Sequence, residues 1–310
     1  MTVFRAPTAI VLMYHRIVDN GRDPFWLHVS PDQFTAHLEV VTASCDVVPF
    51  ARIRESFRGR RRVAITFDDG YQDNLETAAP ALESFGVPAT VFVVSDLLDG
   101  TRSFWWDRLE HLLLDGPDRP PVDLDVDGRT VTLQLDGRQS RERCLQHLAA
   151  RLRPLTDAER ERVLDQLATS IGTEAGHCRC HAHLSGPQIV ELSRRPGIEI
   201  GAHTRSHACL RTLGRSAQIA EVAGSRRALE AAVGVPVTTF AYPYGSHDSW
   251  DRSSVGAARA AGITLAATTI TGDVTAATDR LRIPRVAVRG WAGESFAEHL
   301  EHWFRGGRSE

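Results

Sequence analysis

The chain has 310 residues, 42% hydrophobic and 24% charged, an ordinary globular composition with enough apolar side chains for a large core. Its 36 basic and 39 acidic residues give a formal charge of −3 with no basic stripe, which argues against nucleic acid and anionic membrane as partners. All 36 basic residues are arginine, so no lysine is present to form a Schiff base or to serve a phosphate-cradling loop; aldolase-type, pyridoxal-dependent and P-loop chemistry are excluded.

Cys45, Cys144, Cys178, Cys180 and Cys209 are too scattered for a disulfide-stapled scaffold and fit a reducing compartment. The opening MTVFRAPTAIVLMYHRI reads as neither signal peptide nor transmembrane segment, because its apolar stretch is short and meets a histidine and an arginine; a cytoplasmic location is expected.

In chain order, Val11 to Tyr14 is an apolar run suited to a buried strand, and Ser30-Pro-Asp-Gln33 is a capping box opening a helix with Phe34, Leu38 and Val41 on one face. Strand Val63 to Phe67, helix Asp73 to Phe85 ended by Gly86, and strand Pro88 to Val94 make a β-α-β crossover, which implies parallel strands. From 105 to 184 the pattern changes. Val122, Leu124 and Val126 alternate, Asp127-Gly128 marks a turn, and Val131, Leu133 and Leu135 alternate again, predicting a hairpin. Two helices follow, one carrying Leu145, Leu148 and Leu152, the other capped by Thr156-Asp-Ala-Glu159. Ile198 to Ala202, Val237 to Ala241 and Ile263 to Thr269 then read as strands, separated by helices at Ser216 to Val233 and Trp250 to Ala261. The sum is a single α/β domain over 1–310, a (β/α) barrel with 105–184 as an insertion on its functional rim.

Three motifs fall at strand ends, where barrels of this kind assemble their sites. Thr66-Phe-Asp-Asp-Gly70 sets two carboxylates side by side after a buried strand, and Asp-Asp-Gly is also good turn chemistry. His203-Thr-Arg-Ser-His207 brings two imidazoles to one face if it forms a helical turn. With one of the aspartates they complete a two-histidine, one-carboxylate metal site that leaves positions open for water and substrate. Tyr242-Pro-Tyr-Gly245 can turn a backbone N–H toward a reaction centre, or simply join strand to helix. All four tyrosines, Tyr14, Tyr71, Tyr242 and Tyr244, stand beside these strand ends, a clustering that suits a sugar site, although aromatic residues also seal barrel mouths for structural reasons.

TFDDG at 66–70, HTRSH at 203–207 and FAYPYG at 240–245, in that order, resemble the motifs of the polysaccharide deacetylases, carbohydrate esterase family 4 or NodB-homology domains. The leading LMYHRI, Trp105-Trp-Asp107 and Leu281-Arg-Ile-Pro-Arg285 resemble a bacterial branch associated with exopolysaccharide and lipopolysaccharide synthesis. The resemblance implies a distorted (β/α) barrel and metal-assisted hydrolysis of an N-acetyl group on an amino sugar. By that likeness Asp68 is the catalytic base and Asp69, His203 and His207 hold one divalent metal ion. Zinc is the default from the ligand types, and cobalt, nickel or iron would also be accepted. The backbone N–H of Tyr244 would stabilise the oxyanion. The glycan acceptor, polymeric, lipid-linked or a small glycoside, is left open, as is the oligomeric state. The rival readings are hydrolysis of another N-acyl or formamide bond, and a catalytically silent carbohydrate-binding protein.

Two departures from the family pattern stand out. Many members carry an arginine two residues before the proline of the third motif, where this chain has Ala241; Arg285, at the end of another candidate strand, is the candidate replacement. A C-terminal Leu-x-His motif is missing too. His299 and His302 fall in an amphipathic helix, and Leu12-Met-Tyr-His15 makes His15 the candidate general acid, as if the closing strand had moved to the N-terminus. The cluster His177-Cys-Arg-Cys-His-Ala-His183 lacks a second ligand pair at zinc-finger spacing and is expected to be dispensable for metal binding. Trp105 and Trp106 are expected to pack inside the insertion.

Overall fold

The computed structural model describes residues 9–55, 60–100, 102–173 and 182–307. Its elements are β1 (Ala9–Tyr14), β2 (Arg16–Ile17), β3 (His28–Val29), α1 (Pro31–Ser44), β4 (Asp46–Val47), β5 (Arg62–Phe67), a π-helical turn (Asn74–Ala78) running into α2 (Ala79–Phe85), and β6 (Ala89–Val93). Then come α3 (Trp105–Leu114), β7 (Val122–Val126), β8 (Arg129–Leu133), α4 (Arg138–Leu152), α5 (Asp157–Ser170) and α6 (Gly186–Ser193). The chain ends with β9 (Ile198–Ala202), α7 (Arg215–Val233), β10 (Thr239–Ala241), α8 (Arg252–Ala260), β11 (Leu265–Ala267), β12 (Val286–Ala287) and α9 (Gly293–Phe304). These divide into two compact units, Met1–Leu98 with Leu184–Glu310, and Asp99–His183.

The larger unit is a distorted (β/α) barrel. Its sheet runs β11-β10-β9-β6-β5-β1-β12, every pair parallel, with β4 also pairing β5. One segment closes the curl: Ile283 bridges Ala267 of β11, and Val286 and Ala287 pair with Leu12 and Met13 of β1. Side-chain alternation along the strands separates two cores. Ile10, Leu12, Tyr14, Val63, Ile65, Phe67, Val91 and Val93 pack outward with the helices, while Val11, Ala64, Phe92, Ala241 and Ala267 fill the barrel with Phe50. Small residues dominate the inner layer because strand backbones converge there, and Phe50 and Phe92 meet edge to face at 5.5 Å to fill it.

The capping boxes at Ser30 and Thr156 form as the sequence predicts, and Gly86 ends α2 in the left-handed conformation at φ 63°. The expected helix from Asp73 begins instead as the π-helical turn. There Asp73 and Asn74 bond back to the chain after β1, so the first turn is drawn off α-helical geometry. β10 and β11 are shorter than their apolar runs, because the chain leaves the ladder at each end to turn.

The smaller unit holds the predicted hairpin, β7 and β8 paired antiparallel with Asp127 and Gly128 both at positive φ in the turn, together with α3, α4 and α5. Leu145, Leu148, Leu152, Val163, Leu164 and Leu167 are its buried helix positions. Trp105 and Trp106 are buried, Trp106 stacks on Phe104 at 4.1 Å, and the Arg160 guanidinium lies over Trp105. Among the described residues no helix is long and apolar enough to cross a membrane.

Candidate metal centre and its carboxylate pair

The inner face of the barrel supplies the site. Continuing the alternation of Val11 and Met13, Ala64 and Thr66, and Ile283 past the sheet puts His15, Asp68 and Arg285 on the barrel's interior side. The ladder itself extends one step beyond the assigned strands, with the Asp68 amide donating to Tyr14 O at 3.0 Å and the His203 amide to Val93 O at 3.0 Å. Parallel strands make His15, Asp68 and His203 emerge at the same, C-terminal end, and the guanidinium of Arg285, which precedes β12, reaches Asp68 there.

Asp69, His203 and His207 converge there, all buried, with one potential ligand atom from each lying within 4.8 Å of the others. Asp69 Oδ1 is 3.5 Å from His203 Nε2 and 3.3 Å from His207 Nε2, and it is buried without a well-formed hydrogen bond. His203 Nδ1 donates to Ala241 O at 2.8 Å, which fixes the tautomer and leaves the Nε2 lone pair facing Asp69. These donors fit a divalent cation: two imidazole nitrogens and one carboxylate around a buried oxygen that protein groups leave under-satisfied.

The electrostatics point the same way. Burial works against charge on Asp69, yet His203 and His207 hold it well below the usual carboxylate range. Burial likewise opposes a charged His203, but Asp68 and Asp69 outweigh it and raise this imidazole, so the pocket favours positive charge.

The two imidazoles do not share a helical turn. Residues 203–209 are irregular, and Thr204 and His207 sit at φ 63° and 55°, with Asp69 at 77° and Tyr244 at 61°. Four non-glycine residues in this sparsely populated region at one strand-end cluster are local strain held by the surrounding structure. Gly245 shares that conformation, and a Cβ there would lie 2.4 Å from the Thr269 amide, so the third motif's turn requires glycine.

Asp68 faces a guanidinium. Arg285 Nη1 and Nη2 each lie 2.7 Å from one of its carboxylate oxygens, and Arg285 is fully buried over the Phe92 ring. Arg285 Nε donates to Thr268 O at 2.9 Å and Nη1 reaches Thr66 Oγ1 at 3.3 Å. Burial alone would raise Asp68; Arg285 first, then His203, reverse this and lower it below an ordinary aspartate. Arg285 immediately precedes β12 and does not end a strand.

His15 follows β1 close enough to Asp68 and Asp69 for its charge to favour their ionised forms. Sequence reasoning missed the brace beneath it. Asn74 Nδ2 donates to His15 O at 2.9 Å, Asp73 Oδ1 accepts from the Ile17 amide at 2.9 Å, and Asp73 Oδ2 pairs with buried Arg16 at 2.9 Å. The visible signal was two more polar residues, Asp73 and Asn74, three and four positions after the Gly70 that ends Thr66-Phe-Asp-Asp-Gly70.

Of the two readings of the tyrosines, three of the four follow the structural one. Tyr14, Tyr71 and Tyr242 are buried; Tyr14 OH donates to His37 Nδ1, Tyr242 OH to Leu281 O, and Tyr71 lies under Arg16. Tyr14 turns away from the site because it alternates with His15. Tyr244 alone is part-exposed, its ring edge-on to His207 at 4.7 Å. In the cysteine-rich cluster, His177, Cys178, Cys180 and His181 lie outside the described residues. His183 is edge-on to Phe104, with Nε2 3.8 Å from Asp107 Oδ2. His299 of α9 stacks on Trp291, which precedes that helix, at 4.1 Å.

The C-terminal mouth of a parallel barrel thus sets a candidate metal site of two histidines and one aspartate beside a second, arginine-paired aspartate. The family model for polysaccharide deacetylase matches residues 57–118 and 156–266, more than half the chain, and the chain belongs to that family. YxkH of Bacillus subtilis, a curated relative named for the same family, is 25% identical over 134 residues, 41% of this chain. That match spans 44% of the relative's length, less than half. Among solved structures, the Streptococcus pyogenes deacetylase PplD in complex with acetate superposes with a TM-score of 0.61 at 17% identity, covering 94% of this chain and 97% of that one. IcaB from Ammonifex degensii gives 0.59 at 16% identity over 96% of this chain and 97% of its own. At such identities the likeness shows the fold.

Proposed function

We propose that the protein is a metal-dependent hydrolase that removes N-acetyl groups from an amino sugar of a glycan or glycan precursor, with 105–184 as an insertion in one catalytic domain. The observation that carries this reading is the pairing of Asp68 with Arg285 directly beside the Asp69, His203 and His207 cluster, in a chain of the polysaccharide deacetylase family. A divalent cation held by those three residues, zinc by ligand type with cobalt, nickel or iron as substitutes, would supply Lewis-acid polarisation of the acetyl carbonyl and acidify the attacking water.

The protein's own groups account for the proton traffic. Asp68 is ionised at neutral pH, and each carboxylate oxygen keeps a lone pair beyond the one Arg285 engages, so it can take the water's proton without leaving its partner. Arg285 fixes the orientation of that carboxylate, the role left open by Ala241. The Tyr244 amide, set by its left-handed backbone, donates to the developing oxyanion. His15 delivers a proton to the departing nitrogen, giving the free amine and acetate. Cys45, Cys144 and Cys209 are free thiols, which supports a cytoplasmic, reducing location.

The test is mass spectrometry of N-acetylated glycans, polymeric, lipid-linked and small, after incubation with metal-loaded protein. Loss of one acetyl mass with release of acetate is expected. Asp68→Asn should keep its metal and lose about two to four orders of magnitude in kcat, the usual scale for a general acid–base group. Near-wild-type turnover in that variant rejects Asp68 as base, and release of formate or another acyl group rejects the N-acetyl assignment.

A further inference from the structure

We propose that Trp26, backed by Arg289, is a stacking platform for a pyranose ring neighbouring the one that is deacetylated, so the substrate is at least a disaccharide; this rests on the deacetylase reading above. Among the described residues, the exposed large hydrophobics are Trp26, 64% exposed, and Val235. Val235 lies between α7 and the start of β10, at the N-terminal end of the strands. Trp26 belongs to the opposite end. It lies in the loop between β2 and β3, the excursion that follows β1 and His15, and Arg289 follows β12, the strand paired in parallel with β1. Both therefore sit on the rim that carries Asp68, His203 and Tyr244.

The loop folds back onto the site. The Arg16 amide donates to Leu27 O at 3.1 Å, and Val18 to Val29 O at 2.9 Å, which returns Trp26 to within one residue of a bond to the neighbour of His15. His28, two residues on, is close enough to His15, Arg16 and Asp73 for their charges to interact. Its position is also held firmly. The Asp23 carboxylate accepts from the Leu27 and His28 amides at 2.7 and 2.9 Å, closing a turn that puts Trp26 at φ 56°. A bulky side chain in that region is a backbone outlier of the kind that concentrates at ligand sites. The strain here has the effect of presenting an indole to solvent.

The Arg289 guanidinium lies 5.3 Å from the Trp26 ring centroid and its Nη1 donates to Trp26 O at 3.4 Å. With Trp26 64% exposed, the residue stays largely open to solvent although the cation lies over its ring. A rigid aromatic face beside unused guanidinium donors matches a hexopyranose: the sugar's C–H face packs on the indole, and its hydroxyls accept from the arginine. Holding the ring in place beforehand lowers the ordering cost of binding.

The experiment compares Trp26→Ala and Trp26→Phe with the wild type on an N-acetylglucosamine tetramer and on methyl N-acetylglucosaminide, with metal content and thermal unfolding recorded for each. We expect Trp26→Ala to lose about ten-fold more kcat/KM on the tetramer than on the monosaccharide, through KM, and Trp26→Phe to recover most of it. Calorimetric titration of the tetramer into Asp68→Asn, with and without Trp26→Ala, reads the platform without turnover. A Kd weakened by about ten-fold supports it even if no acetate is ever released, which separates this proposal from the deacetylase reading. Equal losses on both substrates, no tetramer binding to Asp68→Asn, or an unchanged Kd overturns it.

Discussion

Replacing Arg285 by methionine is the sharpest test of how the site is built. The guanidinium is fully buried and makes two 2.7 Å bonds to Asp68, whose own side chain is 4% exposed. Methionine fills much of the volume over Phe92 but leaves a carboxylate buried without its counter-charge, and it strands the Thr268 carbonyl. Breaking a buried pair by removing one partner costs about 3–5 kcal/mol, a large part of the roughly 5–15 kcal/mol that holds a typical domain folded. Asp68→Asn in the Arg285→Met background removes the isolated charge and should restore about 1–3 kcal/mol, the coupling expected for residues in direct contact. Urea unfolding of the wild type, both single variants and the double variant gives the full cycle. If Arg285→Met lies within about 1 kcal/mol of the wild type, or if the two substitutions are additive, the pair carries no structural coupling and the reasoning fails.

Three further outcomes can be checked. Zinc at about 100 times its Kd should add about 2.7 kcal/mol to stability in the wild type and almost none in His207→Ala, which should also lose stoichiometric metal by elemental analysis; equal metal and turnover in the variant would reject the ligand set. His15→Ala should keep its metal while kcat on the amide falls by about two to four orders of magnitude, with a smaller loss on an activated acetate ester that needs no protonated leaving group. Equal losses on amide and ester would make His15 a positioning group instead. His37 supplies a pH test away from the metal: burial lowers it from 6.5 to about 4, its Nε2 donates to Trp291 O and its Nδ1 accepts from Tyr14. Between those values the unfolded chain binds a proton that the folded chain refuses, so stability should fall by about 3 kcal/mol as pH drops from 6.5 to 4. His37→Gln should flatten that slope, and parallel wild-type and variant curves would show that other groups set it.

The amino-acid sequence alone was enough to place the strands, because alternation and apolar runs are local properties. It located Ile198–Ala202 as observed, found the capping boxes at Ser30 and Thr156, and put Asp68, Asp69, His203, His207 and Tyr244 at the ends of parallel strands. What it could not supply was anything set by backbone conformation outside regular elements, or by contacts between distant segments. His203 and His207 meet Asp69 through left-handed residues and not through a helical turn, since only the packed strand ends hold such strained geometry. The four tyrosines look alike in sequence, yet alternation along β1 sends Tyr14 outward to His37 while His15 takes the site side. The partnership of Asp68 with Arg285 spans 217 residues and depends on one segment closing the barrel between β11 and β1. Neither residue's neighbours in the chain encode that closure; it follows from the curl of the whole sheet, which brings the last strand beside the first.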